Sequence, residues 1–209
     1  MTDCQESMAP IAKGRDAPPE IRRESNPDPP VRNAVFSREK KGMMPDMHFR
    51  YATEADTAQI LTFIRELADY EKMLNQVVAD EETLRKWIFD KQKAEVIFAL
   101  EDGKEVGFAL FFHNFSTFLG RAGIYLEDLY VRPAYRGKGY GKGLITKLAQ
   151  IAVERGCGRL EWWCLDWNRP SIDFYRSLGA EPMDDWTVYR IAGDTLTKLG
   201  TKNGDSDRA

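Results

Sequence analysis

Apolar and polar positions alternate or recur in stretches that predict a series of secondary-structure elements from residue 48 onward. A short strand is expected at 48–51. Thr53-x-x-Asp56 resembles a helix-capping signal, and Ile60, Leu61, Ile64, Leu67 and Ala68 then recur at a helical period. Leu84, Trp87 and Ile88 place a second short helix near 80–89. Strands are expected at 96–100 and 105–115, joined through Asp102-Gly103, a good hairpin pair. A further strand at 124–131 is closed by Pro133, which cannot donate to a ladder. Leu144, Ile145, Leu148, Ile151 and Ala152 mark an amphipathic helix that stops at Gly156. A buried strand follows at 160–165. Pro170 and Gly179 bracket another helix, and a last strand is expected at 186–191. This order predicts an α/β fold with a mixed sheet. There is no internal repeat.

Composition confines this pattern to one domain. The chain has 209 residues, 43% hydrophobic and 30% charged, with a net charge of −3. Residues 1–46 hold seven of the 10 prolines and one aromatic, Phe36, and their charges cancel. Such a segment buries too little apolar surface to offset its ordering entropy, so a disordered extension is expected at 1–46. Met43, Met44 and Met47 sit just before the ordered pattern, and initiation at one of them is an expectation that the intact mass of the native protein checks. A folded domain is expected at 47–199, with a polar tail at 200–209. The folded part then carries the whole charge imbalance.

The same arithmetic excludes several function classes. An acidic domain is a poor wrapper of nucleic acid. The longest apolar run, 106–112, is far below the ~20 residues of a membrane span. No apolar signal segment is visible in the first thirty residues. With 3 cysteines, 2 histidines and no C-x-x-C pair, neither a disulfide framework nor a metal site is expected. A reducing cytoplasm is the expected compartment.

The chemically informative stretch follows the strand at 124–131. Glycines at 137, 139, 141 and 143 lead into a helix, and Arg132, Arg136, Lys138 and Lys142 make the same turn locally cationic. Such a turn exposes backbone N–H groups at a helix N-terminus, which suits a phosphate or pyrophosphate. Spacing narrows the ligand. Counting from Gly137, the sixth position is Lys142, so neither a Walker loop nor a dinucleotide fingerprint is present. The remaining alternative is a solvated turn with ordinary surface lysines.

Arg136-Gly137-Lys138-Gly139-Tyr140-Gly141 resembles the coenzyme A pyrophosphate loop of the GCN5-related N-acetyltransferases. A second block, Asn168-Arg169-Pro170-Ser171 with Tyr175 and Gly179 beyond it, resembles the family's second coenzyme-side motif. Tyr125-Leu126-Glu127-Asp128 and Glu66-Leu67-Ala68-x-Tyr70-Glu71 are similar to the diamine (spermidine/spermine) acetyltransferase branch. The resemblance spans about residues 48–198. It implies a largely antiparallel twisted sheet whose central parallel strands splay, acetyl-CoA as co-substrate, and a homodimer.

The resemblance also implies roles. Backbone groups of Leu129, Tyr130 and Val131 would pair with the pantetheine arm like an added strand. A bulge there would direct an amide at the thioester carbonyl. Arg136, Gly137, Lys138, Gly139, Tyr140, Gly141 and Lys142 would hold the pyrophosphate, and Asn168, Arg169, Pro170 and Ser171 would line the coenzyme's other side. Tyr175 matches the general acid that protonates the departing thiolate; a core tyrosine is the alternative. Glu127 matches the carboxylate that binds the ammonium and relays its proton, and Tyr70 and Glu71 match a substrate-contacting pair. Ordinary surface charge is the alternative for these acids.

In a regular strand Glu127 and Asp128 face opposite ways, a rule a bulge would loosen. Glu161, Trp162 and Trp163 depart from the polyamine enzymes' set, and alternation places Trp162 opposite Glu161 and Trp163. Aromatic walls with carboxylates suit cations. The expected reaction is direct acetyl transfer from acetyl-CoA to a primary amine of a small diamine or polyamine. The alternatives are an amino-acid amine such as thialysine or lysine, where Arg121 or Arg169 could meet a carboxylate, and a coenzyme A-binding module without chemistry. Cys157 and Cys164 have no nearby histidine in sequence to activate them.

Overall fold

The computed structural model describes residues 47–201. The expected extension at 1–46 and most of the expected tail lie outside the described residues. Gly200 and Thr201 are described, and they close a helix rather than begin a tail.

Five strands form one sheet in chain order. β1 (His48–Tyr51), β2 (Glu95–Glu101), β3 (Lys104–Ser116) and β4 (Arg121–Val131) pair antiparallel, and β5 (Leu160–Trp162) runs parallel to β4. Between β1 and β2 come α1 (Thr57–Tyr70) and the short α2 (Glu81–Arg85), which runs on into a π-helical turn at Lys86–Asp90. α3 (Tyr140–Glu154) crosses from β4 to β5, followed by α4 (Arg169–Ser177) and α5 (Gly193–Thr201).

Alternation along the strands divides the core between the two sheet faces. Ile97, Phe111, Ile124 and Leu126 pack with Leu144, Leu148 and Ile151 of α3. Phe98, Phe108, Leu110 and Tyr130 pack with Ile60 and Phe63 of α1. The capping signal forms as expected. The Thr53 N–H donates to the Asp56 carboxylate at 2.7 Å. Arg50 holds the same carboxyl well below the ordinary carboxylate range. Gly143 lets β1 reach α3, because a Cβ there would lie 2.7 Å from the Phe49 ring.

Two departures from the expected elements shape the site. Pairing of β5 stops at Leu126–Trp162, so residues 163–165 leave the sheet while β4 continues to Val131. The expected strand at 186–191 does not form. Its alternating residues have no strand beside them to complete a ladder, and Trp186, Val188, Tyr189 and Ile191 stay exposed. An apolar alternation supplies a face, but it becomes a strand only when its backbone finds a partner.

Candidate active site

A cleft of about 770 Å³ opens where β4 and β5 part. One wall is built mainly from backbone. Beyond Leu126 the β5-side edge of β4 is unpaired over residues 127–131, and Leu129, Tyr130 and Val131 line the cleft there. The turn into α3 continues this wall. Gly137 (φ 76°) and Gly139 (φ 95°) take the left-handed conformation that favours glycine. The first helical hydrogen bond is donated by the Gly143 N–H to the Gly139 carbonyl at 2.9 Å. The N–H groups of residues 140–142 therefore head the helix, as an anion site requires. Arg136 and Lys142 line the cleft. Arg136 Nε donates to the Val131 carbonyl at 2.9 Å, and its guanidinium lies 4.6 Å from the Tyr70 ring centre.

α4 closes the far side of this wall. Asn168 is buried and caps the helix, its Oδ1 accepting the Ser171 N–H at 3.4 Å. The same oxygen accepts the Tyr70 hydroxyl at 3.3 Å, which ties α1 to α4 across the cleft. Pro170, Ser171, Phe174 and Tyr175 face the opening.

The second wall is acidic and built from side chains. β3 and β4 pair at Leu110–Asp128 and at Phe111–Leu126, so Glu127 is an extra residue in β4. This is a β-bulge. It breaks the alternation that would separate Glu127 from Asp128, and both line the cleft with Glu71. Burial, then the neighbouring charges of Glu127 and Glu71, push the Asp128 carboxyl up to about 7. Burial also raises Glu71. Tyr175 sits across the cleft with its ring 4.8 Å from Trp162. Burial, with smaller contributions from Cys164 and Glu71, raises its phenol well above the ordinary tyrosine range.

This arrangement can do acid–base chemistry on a cation. A carboxyl near 7 accepts a proton at neutral pH, and a phenol that stays protonated can donate one. The parted strands, the bulge and the glycine-headed helix are one connected unit, and the family model for the Acetyltransferase (GNAT) family matches residues 61–180, which hold all three. The chain belongs to the GNAT acetyltransferase family. It is an acetyl-transfer enzyme, and enzymes of this family take the acetyl group from acetyl-CoA.

Two relatives of this GNAT enzyme are similar over nearly their whole length. The thialysine N-ε-acetyltransferase of Bos taurus is 39% identical over 73% of this chain and 96% of its own. The L-ornithine N5-acetyltransferase of Arabidopsis thaliana is 30% identical over 90% of this chain and 99% of its own. Among solved structures, an integron cassette protein of V. cholerae matches with a TM-score of 0.64 and 29% identity, over 77% of this chain and 99% of that one.

The structure brings most of the expected site residues to this GNAT cleft. Tyr70, Glu71, Glu127, Trp162 and Trp163 line it, as do Gly137, Gly139, Gly141 and Lys142. Tyr140 also lines it, but its side chain is buried in the core and its hydroxyl donates to Glu101 at 3.0 Å. Three expected residues are absent from the lining. Lys138 pairs with Glu101 at 3.0 Å. Glu161 pairs with Arg159 at 2.9 Å and accepts from Asn114. Arg169 lies in the first turn of α4. The tryptophans divide as alternation requires. Trp162 packs on the α3 side with Tyr175, and Trp163 meets Tyr125 edge-on at 5.8 Å. Sequence reasoning missed Asp128 as a cleft residue, and the signal that could have found it was the bulge.

Proposed function

We propose that this GNAT enzyme transfers the acetyl group of acetyl-CoA to the terminal primary amine of a small molecule, with the side-chain amine of an amino acid as its substrate class. The observation that carries the reading is the convergence of Glu71, Glu127 and Asp128 on the cleft beside the β4 bulge. The thialysine and ornithine activities of its relatives support the amino-acid class.

The backbone-built wall fits the co-substrate. An unpaired strand edge suits the amides of a pantetheine arm, and the head of α3 with Arg136 and Lys142 suits a pyrophosphate. Acetyl-CoA would supply an activated acetyl thioester there. The chain's own residues do the rest. Glu127 binds the substrate ammonium, and Asp128 takes its proton, which frees the nitrogen lone pair for attack. Strand-edge N–H groups of β4 stabilise negative charge on the carbonyl oxygen. As the carbon–sulfur bond breaks, Tyr175 gives its proton to the departing sulfur, and the second proton that the nitrogen sheds on becoming a neutral amide restores the phenol.

A di- or polyamine is the second reading, favoured by the number of acids: three carboxylates exceed what one ammonium needs. Thiol release from acetyl-CoA with thialysine, lysine, ornithine, putrescine and spermidine decides between the two. Turnover of none of them would remove the amine reading.

We also propose a cytoplasmic homodimer. The exposed apolar residues of 183–199, including Trp186, Val188 and Ile191, support the dimer. The free thiols of Cys157 and Cys164 support a reducing compartment. Light scattering that shows only monomer at micromolar concentration would remove the dimer.

A further inference from the structure

An amino-acid substrate brings a charge that an acidic wall repels. Its side-chain ammonium suits Glu127 and Asp128, but its α-carboxylate needs a cation. Arg121 and Arg169 were the sequence candidates, and neither is placed for this. Arg121 starts β4 at the end remote from the bulge and packs beside Gly158. Arg169 lies in the first turn of α4, between Asn168 and Pro170, on the side expected for the coenzyme.

Arg190 is placed differently. Its guanidinium stands outside the cleft lining but 5.9 Å from the ring centre of Trp163, which is part of it. Trp163 in turn meets Tyr125, whose hydroxyl pKa is raised first by burial and then by the charges of Glu127 and Glu161, and is lowered by Arg190. The charge of the acid that would hold the ammonium and the charge of this arginine thus both reach one tyrosine. Most other arginines around the sheet are committed. Arg50 pairs with Asp56, Arg132 with Glu66, Arg155 with Glu95 and Arg159 with Glu161. Arg190 makes no ion pair among the described residues. A guanidinium resting on an aromatic face keeps its fork of N–H donors for a carboxylate.

We propose that Arg190 receives the α-carboxylate of an amino-acid substrate whose side-chain amine reaches Glu127 and Asp128. The same charge disfavours a diamine of equal length, because it repels the second ammonium that stands where the carboxylate would be. Selectivity then comes from attraction and repulsion at one residue.

The inference rests on the amine-acetyltransferase reading, and matched substrate pairs separate the two. Lysine and cadaverine, or ornithine and putrescine, share the reacting amine and differ by the α-carboxylate. Thiol release gives kcat/KM for each with the wild type, Arg190→Gln, Arg190→Glu and Arg190→Lys. The wild type is expected to prefer the amino acid. Arg190→Gln should lower its kcat/KM about 10–100-fold, mainly through KM, as for a lost charge-assisted contact. The diamine should stay within about twofold, Arg190→Glu should favour it, and Arg190→Lys should restore part of the amino-acid activity. The KM for acetyl-CoA reports intact folding in every variant. Equal losses on both members of a pair, no loss on the amino acid, or a wild type that prefers the diamine each overturn the clamp while leaving the amine reading standing. Turnover of no amine overturns both.

Discussion

The two walls of the cleft are made of different material. The wall proposed for the coenzyme is mostly main chain: the edge of β4 over residues 127–131 and the N–H groups at the head of α3. The acceptor wall is side chains from separate parts of the chain: Glu71 just after α1, Glu127 and Asp128 at the bulge, and Trp163 beyond β5. A backbone wall tolerates most substitutions that keep its conformation. A side-chain wall changes specificity with a single residue. The thialysine and ornithine relatives share acetyl transfer and differ in acceptor, and this division puts such variation where it does least damage to the donor site.

The largest expected effect tests whether Tyr175 belongs to the chemistry or to the coenzyme wall. Tyr175→Phe should lower kcat about 10²–10⁴-fold and leave the KM for acetyl-CoA within about twofold. Thiol-release kinetics measure both. A matching loss of coenzyme affinity would make Tyr175 part of the binding wall.

Asp128→Asn should cost about 10–10³-fold in kcat/KM for the amine, and its pH profile separates it from Glu127→Gln. Below about 7 the Asp128 carboxyl is protonated and accepts nothing, so wild-type kcat/KM should rise with pH through about 7. Asp128→Asn removes that limb. Glu127→Gln should keep it and act mainly on KM. Stability gives an independent reading. The folded-state pKa is raised, so folding holds a proton that the unfolded chain has already lost above about pH 4. That contribution is complete below the unfolded value and disappears as pH rises through about 7. Asp128→Asn should therefore raise Tm by roughly 2–6 °C at pH 8, with the gap closing toward pH 4. Thermal scans at the two pH values check the sign.

The contrast between the walls also explains what could be read from sequence. The strand, glycine turn and helix lie within one continuous stretch, so a candidate anion site could be read there from sequence, and spacing ruled out two rival loops. Pro170 and Gly179 bracketed α4, and the hydrophobic periods located α1, α2 and α3. The acceptor wall was harder. Asp128 was left out of the expected site because alternation separates it from Glu127 unless a bulge intervenes, and the bulge depends on pairing with β3. Glu161 was expected as a substrate acid, but Arg159, two residues before it, and Asn114 of β3 are its partners. Arg190 lay inside an expected strand that has no ladder partner, so its nearness to Trp163 had no local signal.

The smallest expected effect concerns Lys138, and it tests how far the coenzyme wall depends on side chains at all. Motif position places Lys138 and Arg136 together on the pyrophosphate. Geometry separates them. Arg136 lines the cleft, whereas the Lys138 ammonium lies 3.0 Å from Glu101 and 4.9 Å from the Tyr135 ring centre. That surface pair lowers the Glu101 carboxyl below its ordinary value, an arrangement that a phosphate would have to break. Arg136→Ala should raise the KM for acetyl-CoA about 5–10-fold, as for one partly exposed charged contact. Lys138→Ala should change it less than about twofold and cost at most about 1 kcal/mol of stability, the scale of an exposed ion pair. A rise with Lys138→Ala that equals the Arg136 effect and fades with salt would mean that Lys138 leaves Glu101 for the phosphates. The donor wall would then rely on side-chain charge as the acceptor wall does, and the backbone alone would no longer account for its tolerance.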